Sequence, residues 1–563
     1  MAMRPFKIDL PPGVIKDDSQ YSVQGRWIDA DKVRFYRGKP EKIGGAAKLT
    51  ANTLTGTCRG MHAFRDASNG AHIGFGTPTK LFEYDDTNIN NRTPFRLQVT
   101  LANNPFATTV SSATVTVTHT AHGAAVGDAV VIAGSAAVGG ITPSGTYVIA
   151  TVPGANSYTI THGSAATSTA TGGGAAVTAD YEIAVGLTDS TATVHARTWD
   201  VDHKVSSLIA CPRGLGIYRW TLADARAAAI ANAPATNNGM FITAEGAIVS
   251  IAPGLIKMRL QWCDLDDITV WTPADTNSAD IRDLQNGNEI VCGRRIGPGV
   301  SGVWTDKAMY LMQYTADDFV YRVTEAGDVC GALGPHAATT NRGAAYWFAH
   351  DDFCMWDGAV RSIPNANDIR KFVFDDINRT QRHKVHVVAI DEQSEIWFFY
   401  CTAAATEIDR YAIVNTQDWS WTVGTWARTA SLAPGVYADP LMTAVNGTIY
   451  KHESGLDDDG AAINANITSA PFEFENGERS LDVNGIIADF DRITGNVTMD
   501  LLSREYPADS DTTDSFTLTS TSKQVDDPRV NGRQIAVKFT SNAVGGDFRL
   551  GTPRLLWDLA GDR

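Results

Sequence analysis

The stretch Ala345-Tyr346-Trp347-Phe348, followed after a short polar turn by Phe353-Cys354-Met355-Trp356-Asp357-Gly358, reads as two aromatic strands of one hairpin. The phrase returns along the chain. It runs from Ala63-Phe64 through Ile73-Gly74-Phe75 to Leu81-Phe82-Glu83-Tyr84, and from Ser207-Leu208-Ile209 to Gly216-Ile217-Tyr218-Arg219-Trp220. It comes back at Val303-Trp304 with Met309-Tyr310-Leu311-Met312, at Glu395 to Tyr400 with Arg410 to Val414, and at Leu441 to Ala444 with Thr448-Ile449-Tyr450. A four-strand unit repeating at roughly 40–60 residues is the signature of a β-propeller. The 13 Trp and 21 Phe are then expected in the packing between blades. In Asp418 to Trp426, strict alternation places Trp419 and Trp421 on one face of a strand packed against the next blade.

Outside this pattern the composition changes. Residues 103–178 are rich in Ala, Thr, Gly and Val and nearly free of charge, with alternating runs such as Thr114 to Thr118, Ala129 to Ile132 and Ser157 to Thr161. They read as a small β-barrel inserted into a propeller that occupies 46–102 and 179–455. Residues 1–45 read as an N-terminal arm and first strand, with Val33 and Phe35 on one side and Arg34 and Tyr36 on the other. After the linker Gly455 to Gly460, longer alternating strands such as Val497 to Leu502 predict a C-terminal β-domain over 460–563. Helix is expected only at Leu222–Asn232, from its alanine content, and at Asn367–Asn378, from its apolar spacing. The fold class is therefore all-β: a β-propeller with an inserted small β-barrel and a C-terminal β-sandwich-like domain.

At 563 residues several cores are needed. The formal charge of −16, from 63 acidic against 47 basic residues, argues against a sequence-reading DNA binder, which needs a basic footprint. It suits a surface past which DNA slides without sticking. The seven cysteines fall near core strands with no CxxC spacing, so free buried thiols of a reducing compartment are expected. No apolar run is long enough for a membrane span, and the first residues lack the apolar core of a signal peptide.

The chemistry-bearing motifs are sparse. No Gly-x-Ser-x-Gly elbow, phosphate loop or HExxH helix occurs, and no set of sialidase-type Ser-x-Asp-x-Gly-x-x-Trp boxes. His119 and His122 are at a spacing that puts them on opposite faces of a strand, which is poor for one metal. Asp457 to Asp459 reads as a solvated linker. Asp264, Asp266 and Asp267 read as a polar turn after the strand Lys257 to Cys263. No catalytic residue, cofactor or metal site is expected, and the chain is read as a non-enzyme. The strongest basic stretch is Arg26, Lys32, Arg34, Arg37, Lys39 and Lys42, a candidate grip for an acidic neighbour.

Several phrases resemble tail proteins of short-tailed bacteriophages: the tail nozzle, tail tubular protein B or packaged-DNA stabilisation family. They are Gln261 to Trp271, Val300 to Tyr310, Gly331 to Pro335, Tyr346 to Gly358 and the opening Gly25 to Gly45. The insert resembles the small barrel (FCCH-type) of ubiquitin-activating enzymes, at His122-Gly123, Val126-Gly127-Asp128 and Ser144 to Val148. The resemblance implies a structural virion subunit, assembled in the host bacterial cytoplasm, whose six copies form a homohexameric ring below the portal. The ring would close the tail tube until DNA ejection. Implied partners are other copies of the chain, the adaptor or head-to-tail connector, tail fibre or needle proteins, and passing double-stranded DNA. On this reading Arg26, Lys32, Arg34 and Arg37 are interface candidates, and Asp264, Asp266 and Asp267 are channel-lining candidates. The competing readings are a receptor- or carbohydrate-binding tail protein and a propeller glycosidase.

Overall fold

The computed structural model describes residues 4–183, 186, 195–316, 320–473, 478–522 and 524–559. Seven four-stranded antiparallel sheets follow one another as blades. Their first strands are Met61–Arg65, Trp199–Lys204, Gly239–Ile242, Ile290–Gly297, Ala338–Asn341, His386–Ile390 and Ala430–Leu432. Each first strand touches the next, and the seventh touches the first, so the ring is closed around an axis. The molecule is thus a β-propeller of seven blades.

Blade 7 is closed by a strand from the other end of the chain. Ala46–Lys48 pairs antiparallel with Ile449–His452 and forms the outer edge of that blade. The ring is locked by backbone hydrogen bonds, not by side-chain packing alone.

The aromatic phrases fill the spaces between blades. Trp199, Trp262, Trp304, Trp347, Trp397 and Trp421 are 0% exposed. Trp304 of blade 4 and Trp347 of blade 5 sit 5.5 Å apart across one seam. Trp199 packs so closely on blade 1 that a Cβ on Gly76 would stand 2.1 Å from its Cγ. The seven cysteines are buried and free.

Two sequence expectations change here. Leu222–Asn232 is not a helix. Asp224 accepts hydrogen bonds from the Thr221 amide and hydroxyl, its carbonyl takes the Trp220 indole N–H, and Ala228–Ala229 becomes the outer strand of blade 2. Tertiary pairing overrides alanine's helix propensity. Trp419 lies in a turn at φ +58°, and the strand begins only at Trp421, although both side chains join one core cluster. The second helix forms as Arg370–Asp376. Its first turn is capped by the Asp17 carboxylate, which accepts the amides of Lys371 and Phe372.

The insert spans the strands from Phe95–Thr100 to Thr178–Glu182, and these two strands pair with each other. Its eight-stranded curved sheet encloses a core of its own, with Phe106, Val117, Ile149, Tyr158 and Ile160.

Residues 4–45 do not stand apart as an arm, and residues 1–3 of the expected arm lie outside the described residues. Arg4–Lys7 pairs with Arg554–Leu559, Trp27–Asp31 with Ala465–Ser469, and the hairpin Val33–Tyr36/Lys39–Lys42 with Asp547–Leu550. Trp27, Val33 and Phe35 share a core with Val497, Met499, Leu501 and Phe539. Both chain ends therefore weave one layered β-domain, from which Ala46–Lys48 emerges to close the propeller.

Candidate functional site: the propeller axis

The inner strands of all seven blades enclose an axial cavity of about 330 Å³. Most of its polar lining comes from residues far apart in sequence: His62, Asp200, Asp202, Arg294, His336 and His386. Asp200 is the hub of one wall. Its Oδ2 accepts the Met240 amide at 3.0 Å, and its Oδ1 lies 3.3 Å from His336 Nε2 and 3.7 Å from Arg294 Nη1. Gly239 permits this approach, because a Cβ there would meet Asp200 Oδ2 at 2.3 Å. His386 is stacked on Phe399 at 4.6 Å, and burial pushes its pKa down to about 3.

At the mouth where the inner strands begin, charge is paired. Arg59 and Lys384, both buried, converge on Glu407 at 2.6 and 2.8 Å. His195 stacks on His383, and burial with neighbouring cationic groups pushes His383 down to about 2.

Across the seam of blades 1 and 2, His62, Asp202 and His203 bring their ligand atoms within 4.8 Å of one another. Sequence reasoning missed the whole axial set. Its members carry no shared local motif, and the only available signal was their position at or near the first strand of each blade.

The basic stretch is largely engaged within the chain. Arg34, an interface candidate, is 3% exposed and ion-paired with Glu395 and Glu453. The reason is that the second face of the hairpin packs on blade 6. Lys32 hydrogen-bonds Thr425 and lies over the Trp426 ring. Arg26 faces Asp368 at 3.9 Å. Arg37 is exposed, with its guanidinium over Tyr36.

Asp264, Asp266 and Asp267 sit in the loop between the third and fourth strands of blade 3, the outer pair of that blade, and the loop's Leu265 carbonyl accepts Lys204 of blade 2's first strand at 2.8 Å. Asp264 organises the turn by accepting the amides of Asp266, Asp267 and Ser278, and Asp267 accepts from Thr269. The Thr269 amide and hydroxyl hold Asp267 below the usual carboxylate range. His119 and His122 serve separate partners, the Tyr181 hydroxyl and the Ala124 amide.

These features define a closed seven-bladed propeller with a polar axis, a barrel insert and a domain woven from both termini. No family model matches the chain, and no curated protein matches it. Solved structures with related architecture include the computationally designed Ika8 protein, at 9% identity and a TM-score of 0.33, covering 72% of this chain and 99% of that one. YCF48 bound to D1 peptide matches at 8% identity and a TM-score of 0.29, covering 63% and 94%. Phage phi92 endosialidase matches at 13% identity and a TM-score of 0.17, covering 83% of this chain and 64% of that one. At these scores none carries an argument about activity. Among the described residues, no helix is long and apolar enough to cross a membrane.

Proposed function

We propose that the chain is a non-enzymatic structural subunit of a short-tailed phage tail nozzle. Copies, six on this reading, would surround the DNA-exit channel below the portal and adaptor and help retain packaged DNA until ejection. The observation that carries the reading is the interlock of domains: the woven terminal domain supplies the strand that closes the propeller. A ring subunit under the outward push of packed DNA needs such a body, because blade 7 cannot peel away without breaking the ladder to Ala46–Lys48. The charge of −16 supports a wall that does not hold phosphate. The resemblance of the aromatic and glycine phrases to the nozzle family adds to this.

With Arg34 buried, the subunit or adaptor contact on this reading falls to the exposed part of the opening segment, around Arg37. The acidic loop at Asp264 to Asp267 would face the channel only if blade 3 turns inward in the ring. Electron microscopy of the purified chain, alone and with tail components, tests the reading. A sixfold ring with a central hole is the expected image. Dispersed monomers that bind a specific glycan, or that depolymerise a host polysaccharide, would overturn it in favour of a receptor-binding protein or a glycosidase.

A further inference from the structure

The seam between blades 1 and 2 has the longest covalent connection in the ring. Blade 1 ends at Asn91 and blade 2 begins at Trp199, with the whole barrel between them. Elsewhere the connections are shorter, from Asp283 to Ile290 or Thr425 to Ala430 up to the helical stretch from Ser362 to His386.

His62 from the first strand of blade 1 meets Asp202 and His203 from the first strand of blade 2 across this seam. His62 Nε2 is 2.8 Å from His203 Nδ1 and 3.5 Å from Asp202 Oδ1, and His203 Nδ1 is 3.6 Å from the same oxygen. Bonds of about 2.0–2.1 Å to a tetrahedral ion set its donors about 3.4 Å apart. The two edges to Asp202 Oδ1, at 3.5 and 3.6 Å, already match one face of such a tetrahedron, and the His62–His203 edge, at the 2.8 Å of a hydrogen bond, has to open by about 0.6 Å. Two imidazoles and a carboxylate are a donor set that zinc-class cations favour over magnesium or calcium.

The ligands are also held in place. The His203 ring meets His62 edge to edge, with centroids 5.0 Å apart, and lies nearly parallel to Phe64 at 6.0 Å, and Asp202 Oδ1 accepts the His203 amide at 2.8 Å. The side chains are 24%, 21% and 33% exposed, and His62 and Asp202 line the axial cavity, so an ion can reach them.

We propose that His62, Asp202 and His203 bind one divalent transition-metal cation of the zinc class, which clamps blade 1 to blade 2 and leaves a fourth coordination position open to the axial cavity. Binding needs both facing ring nitrogens free of hydrogen. The proton between them moves to the outer nitrogen of its own ring, and no proton is lost overall.

The test uses the full chain, stripped with a chelator and titrated first with Co²⁺ and then with Zn²⁺. One Co²⁺ per chain is expected, with the strong visible bands of a four-coordinate centre. Zn²⁺ should displace it and raise the thermal midpoint by mass action. His203→Ala should abolish both signals. His62→Phe, which keeps a ring on His203, should do the same while leaving the far-UV spectrum unchanged, and it decides the matter if His203→Ala fails to fold. Absence of cobalt bands and of any midpoint shift in the parent chain would overturn the proposal, leaving an imidazole–imidazole hydrogen bond. So would a cobalt spectrum that survives His62→Phe.

Discussion

Arg34 and Glu395 form an ion pair at 3.0 Å with side chains 3% and 1% exposed, joining the woven terminal domain to blade 6. Glu453 of blade 7's trailing segment takes two further guanidinium contacts, at 2.5 and 2.9 Å. Both carboxylates depend on one cation at a domain junction. Arg34→Met keeps much of the volume and leaves the carboxylates without their partner. Breaking a buried pair from one side costs about 3–5 kcal/mol. Urea unfolding of Arg34→Met should show a loss of that size. A loss under about 1 kcal/mol, the range of surface pairs, would contradict the junction role.

The insert should be removable. The Ile183 amide donates to the Pro94 carbonyl at 3.0 Å, and Phe95 pairs with Glu182, so the two ends of the barrel are neighbours. Glu182 itself belongs to the propeller junction, where it pairs with Lys80 and with Arg226. Replacing residues 97–180 by a two-glycine turn keeps that junction. The shortened chain should stay folded, with a thermal midpoint within a few degrees of the parent. The excised piece 95–182, which has its own core, should give a cooperative melt by itself. Aggregation of both pieces would show that the barrel and propeller are energetically one unit.

The pH dependence follows from His383, His386 and Glu395. Burial depresses the two histidines from 6.5 to about 2 and about 3. Their contribution is present above pH 6.5 and is lost as the pH falls, because the unfolded chain binds protons the native chain refuses. Each adds a slope of about 1.4 kcal/mol per pH unit over that window. Glu395 is pushed the other way, from 4.5 to about 7, by burial opposed by Arg34. Its contribution is present below pH 4.5 and is lost as the pH rises through 7. Two histidines outweigh one carboxylate below pH 6.5, so stability at these sites should peak near neutrality and fall on acidification. His386→Asn should reduce the acid-side slope of a urea-midpoint series by about 1.4 kcal/mol per unit. An unchanged slope would place the acid sensitivity elsewhere.

The propeller was legible because its signal is local. Phrases such as Tyr346-Trp347-Phe348 and Ile396-Trp397-Phe398 are unbroken runs of large apolar residues between turns, and burial on both sheet faces demands just that. The barrel's low charge and the long C-terminal strands were legible for the same reason. Ala225 to Ile230 misled because alanine favours helix in isolation, whereas a blade edge offered those residues a strand partner.

What the sequence alone determined was the all-β class and the repeated blade, both set by side-chain patterning within a few residues. Only the tertiary structure decided the blade count, the closure by Ala46–Lys48, the weaving of residues 4–45 into the far terminus, and the axial group of His62, Asp202 and His203. Each of these rests on contacts between residues tens to hundreds of positions apart. Arg34 shows the difference most plainly: alternation gave its side of the strand, but whether that side met water or Glu395 depended on blade 6, some 360 residues away.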